Sequence, residues 1–417
     1  MTDHSRIAIV GGGVAGCAAA LLLAQPGREI TLFEAVEDPQ PIGAGLLLQP
    51  TGQQVLGHIG LLQDAVAHGA TVDRLFGDNA AGRTVLDMSY GRYAPGSFGI
   101  GIQRGTLFGL LWRRMRQAGT TVRLGTAVGA YAQDARGVAL HDTRGRPLGR
   151  FDALVLANGS FSTLRDAMRV KQTLRPFPWG ALWAVLPAPA GFAPVELRQR
   201  FRAAREMVGL MPVGRSLGST ASAPQGINFY WSLPLDQLPA WQAEGLPAWK
   251  RRVTELLPMC GPLLESVSSP EQLRVARYAD VAMAQWNDER VVAIGDCGHG
   301  MSPQLGQGAN MALIDAFVLA HCARRKSDWR AIFAQYSRER MAHLRFYQRA
   351  SVALTPLFQS HRQLAPALRD LFFGLPGRLP WVHDQSVAAL SGLKTGWLSG
   401  QLDLGRYAAP DPGTPSP

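Results

Sequence analysis

The sequence predicts an α/β fold: a Rossmann-like nucleotide-binding domain, an inserted and mostly antiparallel β-sheet domain, and a helical C-terminal region. Three observations lead to this prediction. Short β-branched runs alternate with helical segments, a glycine-rich turn joins the first run to the first helix, and beyond Arg175 the strands are bounded by proline and glycine. Strands that alternate with helices are typical of a largely parallel sheet, whereas strands bounded by turn residues favour antiparallel hairpins.

The first segment of the chain predicts a βαβ unit. Residues 6–10 form a short apolar run that ends at three glycines, which predicts a buried strand. Residues 14–24 are rich in alanine and leucine and predict a helix, and residues 29–33 predict a second buried strand. This length is typical of a strand–helix–strand unit that carries a nucleotide.

Later segments extend both domains. In chain order they predict a helix at 107–117, strands at 151–157, 181–186, 226–233 and 290–294, a helix at 309–323, and amphipathic helices from Trp329 onward. The Pro-rich tail after Tyr407 predicts disorder.

These elements divide the chain into six predicted segments. The nucleotide-binding domain takes residues 1–75, 99–174 and 274–330, and the inserted sheet takes residues 175–273 with an excursion at 76–98. Residues 331–417 form the C-terminal helices and the tail.

The composition of the chain favours some classes of ligand and argues against others. The chain has 417 residues and a net charge of +11, which favours anionic ligands. Its Lys and Arg residues are scattered without interleaved aromatic residues, which argues against a nucleic-acid platform. The four cysteines form no CxxC pair, so we expect neither a metal site nor a disulfide framework. The chain shows no signal peptide and no long apolar run, which predicts a cytoplasmic protein without a transmembrane segment.

A GxGxxG motif follows the first predicted strand and opens the first predicted helix. Its candidate ligand residues are Gly11, Gly13, Val14, Ala15 and Gly16. The first glycine allows a tight turn, the second allows a pyrophosphate to approach the backbone, and the third allows close helix–strand packing. Glu34, followed by Ala35, ends the second strand 18 residues after the motif. A carboxylate there can accept hydrogen bonds from the ribose hydroxyls of a dinucleotide.

A second motif lies about 280 residues further along the chain. It follows the strand at 290–294 and comprises Gly295, Asp296, His299, Pro303, Gly306, Gln307, Gly308, Ala309, Asn310 and Asp315. A carboxylate at the end of this strand can bind a ribityl or ribose hydroxyl. A glycine-rich turn into a helix offers backbone N–H groups to the N1–C2=O edge of a flavin, where negative charge collects on reduction.

Together the two motifs resemble those of the FAD-dependent aromatic hydroxylase family, the para-hydroxybenzoate and salicylate hydroxylase-like group. The second motif of that family reads GD, H, P, GQG, N and D in order, and each element is present over the first 330 residues. The resemblance implies bound FAD, an inserted substrate domain, and NAD(P)H that binds transiently. It also implies an FAD-dependent monooxygenase that hydroxylates a small substrate with O2 through a flavin C4a-hydroperoxide.

Three further segments resemble the same family. Gly45 lies in a segment like the loop near the flavin ring, and Arg104 is similar to the arginine that contacts FAD at a helix start. Asn158 and Gly159 resemble a second dinucleotide fingerprint, in which Asn158 replaces the usual acid and removes a charge. The resemblance places the catalytic role in the loop that contains Pro303, Gly306, Gln307 and Gly308.

Several alternatives remain open at this stage. A flavin-dependent reductase or dehydrogenase of the same fold, and a non-catalytic FAD-binding protein, share these motifs. The substrate is expected to be a small molecule, aromatic, anionic or quinone-like, and peripheral membrane contact is left open, as is the choice between monomer and homodimer. Strand alternation places Phe229 and Trp231 on one face of the inserted sheet and Tyr230 on the other, without deciding which face lines the cavity.

Overall fold

The computed structural model describes residues 4–40, 43–220, 222–372 and 379–408. The strands in chain order are β1 (Ser5–Val10), β2 (Arg28–Phe33), β3 (Gly45–Leu48), β4 (Ala70–Val72), β5 (Arg74–Asn79), β6 (Thr84–Ser89), β7 (Gly99–Gln103), β8 (Thr121–Arg123), β9 (Val128–Asp134), β10 (Gly137–Asp142), β11 (Pro147–Phe151), β12 (Ala153–Leu156), β13 (Gln172–Pro187), β14 (Glu196–Arg202), β15 (Glu206–Pro212), β16 (Gly226–Pro234), β17 (Arg274–Met283), β18 (Asn287–Asp288) and β19 (Val291–Ala293). The helices are α1 (Val14–Leu23), α2 (Pro50–His58), α3 (Leu62–His68), α4 (Tyr90–Tyr93), α5 (Arg104–Gln117), α6 (Leu238–Glu244), α7 (Leu246–Leu256), α8 (Gly261–Leu264), α9 (Asp296–His299), α10 (Gly308–Arg325), α11 (Trp329–Phe358), α12 (Leu364–Phe372) and α13 (Pro380–Leu390).

The chain has the predicted α/β fold. Its Rossmann-like domain is built on a six-stranded sheet in the order β18-β19-β12-β1-β2-β8. Five of these strands pair in parallel, and only β18 runs antiparallel. Both faces of such a sheet are covered, which explains why β12, β19 and residues 7–10 of β1 consist of buried apolar residues. The carboxyl ends of these strands meet at one edge, where open α/β sheets bind their ligands.

One predicted strand is divided in two. Residues 151–157 were expected to form a single strand, but Phe151 ends β11 in a separate three-stranded sheet, and β12 begins at Ala153. The physical reason is Asp152, which lies between them. Its N–H donates to Arg6 O, and its carboxylate accepts from Arg6 N at 2.7 Å.

The inserted, mostly antiparallel sheet has seven strands in the order β17-β13-β16-β15-β14-β5-β6. Only β14 and β5 pair in parallel. Phe229 and Trp231 face helices α6 to α8, where both rings lie within 6 Å of the Trp249 ring. Tyr230 therefore faces the other way, toward the Rossmann-like domain. This contact pattern assigns Phe229 and Trp231 to the face that the helices cover.

The sheet draws strands from three stretches of chain, 74–89, 172–234 and 274–283. The limits of the six segments into which the sequence divides the chain remain a prediction. Antiparallel β3, β7 and β4 form a small sheet between the two larger ones.

The C-terminal region is helical, as predicted. Helix α11 spans 30 residues, begins at an N-cap aspartate, Asp328, and packs along α10. Helices α12 and α13 both contact β6, the edge strand of the seven-stranded sheet. The tail predicted after Tyr407 lies outside the described residues from 409 onward. Within the described part of the chain, no helix has the length and hydropathy needed to cross a bilayer.

Candidate functional site

The glycines of the first motif have different physical roles. Gly11 has φ +102°, and a Cβ there would lie 2.6 Å from Ala157 O. At Gly16, a Cβ would lie 1.9 Å from Gly11 O, so this glycine permits the close contact between α1 and β1. Gly13 differs from both. It has an ordinary φ of −73°, and no protein atom lies within 4 Å of the position its Cβ would take. No contact within the protein therefore requires a glycine at position 13. A ligand that approached the backbone there would require one.

Glu34 follows the carboxyl end of β2 and lies against the same turn. One carboxylate oxygen accepts from Gly12 N at 2.7 Å, and the other accepts from Val36 N at 3.0 Å. Both bonds leave lone pairs on the carboxylate, so it can still accept from ribose hydroxyls. Ala35 is exposed beside it.

The second motif meets the first in space. A Cβ on Gly295, which has φ +58°, would lie 2.9 Å from the Ala15 side chain. Asn158 and Gly159 follow β12 between the two turns, and the Asn158 amide oxygen accepts from the Cys297 thiol at 3.5 Å. Burial raises the pKa of that thiol to about 11, so Cys297 is a neutral packing residue rather than a nucleophile.

A buried ionic cluster holds the Gly295 turn. The Asp315 carboxylate accepts from Gly295 N at 2.8 Å, from His299 Nε2 at 2.5 Å and from Arg340 Nε at 2.8 Å. All three side chains are at most 1% exposed. Burial opposes ionisation of Asp315, but His299 and Arg340 outweigh it and hold the pKa of Asp315 below its ordinary value. The cluster fixes the turn from which the exposed Asp296 projects.

The loop before α10 brings the proposed catalytic residues together. Pro303 is exposed, and Gly306 adopts the left-handed conformation at φ +60°, which favours glycine. Gly308 and Ala309 open the 18-residue helix α10. A Cβ at Gly308 would meet only the Asp296 carboxylate, at 3.6 Å. The N–H groups of this first turn lack intrahelical acceptors and face the same region as Asp296.

Two side chains of this loop are engaged with the protein. Asn310 is fully buried; its amide nitrogen donates to Leu47 O at 3.0 Å, and its oxygen accepts from Gln49 N at 2.9 Å. Gln307 is buried, and its amide donates to Leu390 O. The amide nitrogens of both side chains therefore brace other segments, which leaves the backbone N–H groups of these residues for the expected contact with a cofactor.

Gly45 and Arg104 lie at the small sheet of β3, β7 and β4, where Gly45 pairs with Gln103. Arg104 opens α5, is exposed, and its backbone N–H donates to Ala44 O at 3.0 Å. Gly45 donates its N–H to Asn228 Oδ1 at 2.8 Å, which ties β3 to β16. The expected cofactor contact of Gly45 therefore cannot use its N–H.

Tyr230 lies on β16 between two bridges that join this face of the sheet to the rest of the protein. The first bridge is the bond from Gly45 to Asn228. In the second, Gln359 donates to Ser232 Oγ at 2.6 Å and accepts from Gln304 of the glycine-rich loop. Asn228, Tyr230 and Ser232 alternate along one face of β16. Sequence reasoning missed the bridge through Gln359, because nothing local marks a residue at the end of α11 as a partner of β16.

The site fits an FAD molecule on structural grounds. The open positions at Gly13 and Gly308 leave room for a ligand beside the N-termini of two helices, α1 and α10, which favour anionic groups. Glu34, beside the Gly13 turn, and Asp296, beside the Gly308 turn, provide carboxylates that can accept hydrogen bonds from the hydroxyl groups of the ligand.

A family model described as an FAD binding domain matches residues 4–349, which is most of the chain. The chain belongs to the FAD-dependent aromatic hydroxylase family. It is 28% identical over 326 residues to 6-methylpretetramide 4-monooxygenase of Streptomyces rimosus, covering 76% of this chain and 74% of the relative. It is 26% identical over 348 residues to FAD-dependent urate hydroxylase of Klebsiella pneumoniae, covering 81% and 86%.

Solved structures of other proteins have the same fold as this flavoenzyme. Klebsiella pneumoniae HpxO complexed with FAD and uric acid superposes with a TM-score of 0.76 at 21% identity, covering 93% of this chain and 98% of that one. The tetrameric form of 2-methyl-3-hydroxypyridine-5-carboxylic acid oxygenase superposes with a TM-score of 0.73 at 21% identity, covering 89% and 97%.

The flavoenzyme also has a C-terminal anchor, beyond residue 349, that sequence reasoning missed. Four consecutive carbonyls at the end of α13 accept hydrogen bonds from side chains elsewhere in the protein. The donor–acceptor pairs are Tyr347 Oη to Ala389 O, Gln307 Nε2 to Leu390 O, Thr51 Oγ1 to Ser391 O, and His343 Nε2 to Gly392 O. The last carbonyls of a helix lack intrahelical partners, and these side chains supply donors for them. Ala389 O also accepts from Gly392 N, at 3.3 Å. Through Gln307, the anchor holds the glycine-rich loop.

We expect His343 to make the stability of the flavoenzyme depend on pH. Burial and the neighbouring Arg340 hold the pKa of His343 well below its ordinary value. Below about pH 6.5 the unfolded chain therefore takes up a proton that the folded chain does not, and stability falls by up to about 1.4 kcal/mol per pH unit. His343→Gln should flatten this slope between pH 6.5 and 5.5 in urea unfolding, while the exposed His4→Gln should leave it unchanged. Equal slopes in both variants would contradict this role.

Proposed function

We propose that this flavoenzyme uses NAD(P)H and O2 to hydroxylate a small aromatic or quinone-like substrate through a flavin C4a-hydroperoxide. One oxygen atom would enter the product, and the other would leave as water. The observation that carries the proposal is the pair of open glycine positions, Gly13 and Gly308, at two helix N-termini beside the carboxyl ends of the central strands. Relatives named as hydroxylases and monooxygenases support it.

The proposed FAD ligands fall into three groups. Those at the pyrophosphate are the backbone of Gly11, Gly13, Val14, Ala15 and Gly16, with Asn158 and Gly159 beside them. Glu34 and Ala35 would contact the adenosine ribose, Asp296 would accept from hydroxyls on the ribityl side, and Arg104 and Gly45 would lie near the ring. The close approach of Ala15 to Gly295 supports a single ligand that spans both motifs.

The loop of Pro303, Gly306, Gln307 and Gly308 is proposed to hold the flavin ring. The N–H groups at Gly308, Ala309 and Asn310 would stabilise the negative charge that collects on the reduced ring. The buried bonds of Gln307 and Asn310 support this assignment, because they fix the loop before the cofactor binds. Preorganised donors require no rearrangement when the charge develops.

The face of Tyr230 is proposed as the substrate wall. Its phenol accepts from Gln199 Nε2 at 2.8 Å, which leaves the phenolic O–H free to donate to a substrate. Burial raises the pKa of Tyr230, so this phenol stays protonated at neutral pH. A face that carries Tyr230 beside Trp183 suits a flat aromatic ring, and the net charge of +11 favours an anionic one.

The proposed function is tested by steady-state oxidation of NADH and NADPH with purified protein, FAD, O2 and a panel of aromatic acids, N-heterocycles and quinols. We expect a substrate to stimulate nucleotide oxidation and to yield a product with one added oxygen atom from ¹⁸O2. Oxidation without oxygen incorporation would indicate a reductase or dehydrogenase instead. Failure to reduce FAD with either nucleotide would refute the enzymatic proposal.

Asp296→Ala should weaken FAD retention. A charge-assisted hydrogen bond contributes about 1.5–3 kcal/mol, and each 1.4 kcal/mol is tenfold in affinity, so we expect a loss of about tenfold or more. Glu34→Ala should act in the same direction. The measurement is FAD fluorescence on titration of the apoprotein, with the exposed Asp64→Ala as the matched control. Unchanged affinity in both site variants would remove these residues from the cofactor site.

A further inference from the structure

Helix α12 has its polar side inward and its apolar side outward. Leu364, Leu368 and Leu371 are 79%, 53% and 50% exposed, and they lie on one face at spacings of four and three residues. Arg369 of the same helix is fully buried. Soluble proteins rarely bury an arginine while they expose three leucines in a row along a helix.

Specific bonds fix this orientation. The Arg369 guanidinium donates to Ala203 O at 3.0 Å and to Leu357 O at 3.1 Å, and it lies 4.9 Å from the centre of the Phe201 ring. Asp370 accepts from Arg369 and from Asn79 Nδ2 at 2.7 Å. A rotation of α12 that buried the leucines would break all of these contacts of Arg369 and Asp370 without replacing them.

The apolar face continues beyond α12. Leu379 and Trp381, at the start of α13, are 59% and 58% exposed. Because α12 and α13 both pack on the edge strand β6, the two helices lie along the same border of the protein. Exposed leucine with tryptophan is typical of helices that lie at a membrane interface.

Arginines border the leucine face. Arg362 is exposed two residues before Leu364. Arg205 is exposed next to Ala204, whose carbonyl accepts from Ser360 N just before the helix. Arg83 is exposed in the turn that follows Asn79, the partner of Asp370. A two-fold dimer through this face would bring two sets of these cations into one interface, whereas an anionic surface would neutralise them.

We propose that α12 and the start of α13 form a docking face for an anionic lipid surface. The leucines and Trp381 would enter the headgroup–acyl boundary, and the bordering arginines would contact lipid phosphates. A single apolar contact gives only marginal membrane binding, and the combination of an apolar face with basic residues gives stable association. This proposal is independent of the reaction that the flavoenzyme catalyses.

The test is flotation of the FAD-loaded, full-length protein with vesicles. We expect binding to vesicles of phosphatidylcholine with phosphatidylglycerol, and little binding to phosphatidylcholine alone. The double variant Leu364→Gln/Leu368→Gln should bind the anionic vesicles at least about tenfold less tightly. Arg83→Gln/Arg362→Gln should lower binding by about fivefold per arginine, and salt should act in the same direction.

Leu124→Gln is the matched control, since Leu124 is exposed after β8, at the far edge of the six-stranded sheet. This variant should bind like the parent, and all variants should retain FAD. No binding of the parent, or equal binding to both vesicle types, would overturn the proposal. A parent dimer that the leucine substitutions convert to monomer, without vesicle binding, would show an interface between copies instead. If the leucine double variant failed to fold, the leucines would be part of the core, and the proposal would be overturned as well.

Discussion

Asp315→Asn is expected to destabilise the protein by about 3–5 kcal/mol and to release the cofactor, because it breaks one side of a buried ion pair. The Arg340 guanidinium is fully buried, and without the carboxylate its charge has no counterion. The Gly295 N–H also loses an anionic acceptor at the turn that carries Asp296. The measurement is urea unfolding at pH 7, followed by tryptophan fluorescence, with FAD fluorescence as a second readout.

The pH dependence of this effect has a defined sign. The pKa of Asp315 in the folded protein is below its ordinary value of about 3.9, so the stabilisation is fully present above that pH. It is lost as the pH falls through the lower folded value. The difference between parent and variant should therefore be constant across neutral pH and shrink only in acid.

The matched control is Asp134→Asn, which removes a carboxylate from an exposed pair with Arg150. Solvent screens that pair, so little change is expected. In the double variant Asp315→Asn/Arg340→Met, removal of both charges should restore part of the stability. A loss below about 1 kcal/mol in Asp315→Asn would show that the cluster does not support the turn.

Gly308→Val is expected to slow flavin reduction by up to about 100-fold, or to raise the yield of H2O2 per NAD(P)H consumed by a similar factor. A displacement of about 1 Å in a reacting group can cost this much. The added Cβ would meet only the Asp296 carboxylate, at 3.6 Å, so this atom does not clash with the protein. A large effect would therefore come from the valine methyl groups, which would meet the bound ligand or displace Asp296. Loss of a dry, ordered pocket also favours release of H2O2.

Gly57→Val is the matched control, because Gly57 is also a helical glycine, in α2, and its Cβ would make only an ordinary contact, with Leu62 Cδ2 at 3.9 Å. The measurements are stopped-flow reduction under anaerobic conditions and the ratio of H2O2 to hydroxylated product in air. FAD affinity of the Gly308 variant should fall less than its rate, because the adenosine half of the site is untouched. If the variant reduces and couples like the parent, the loop does not hold the flavin ring.

The glycine motifs and the alternation of strands with helices could be interpreted from the sequence because their causes are local. A left-handed turn, a helix N-terminus and a short buried strand each depend on a few neighbouring residues. The sequence therefore predicted the α/β fold, the inserted sheet and the family, and the family model confirmed the last. Gly11 has the positive φ of a tight turn and Gly16 has the close helix–strand packing, as their positions in the motif predict.

Contacts between distant segments were decided only by the tertiary structure. Asn310 is proposed to reach the cofactor through its backbone N–H, while its side chain bonds to Leu47 and Gln49. No pattern in the sequence indicated that Gln307 and His343 would hold carbonyls of α13, or that Arg369 would turn inward. In each case the partner is a backbone carbonyl or amide. Every residue carries these groups, so no residue type marks the partner, and only the packed chain determines which of them remain to be satisfied.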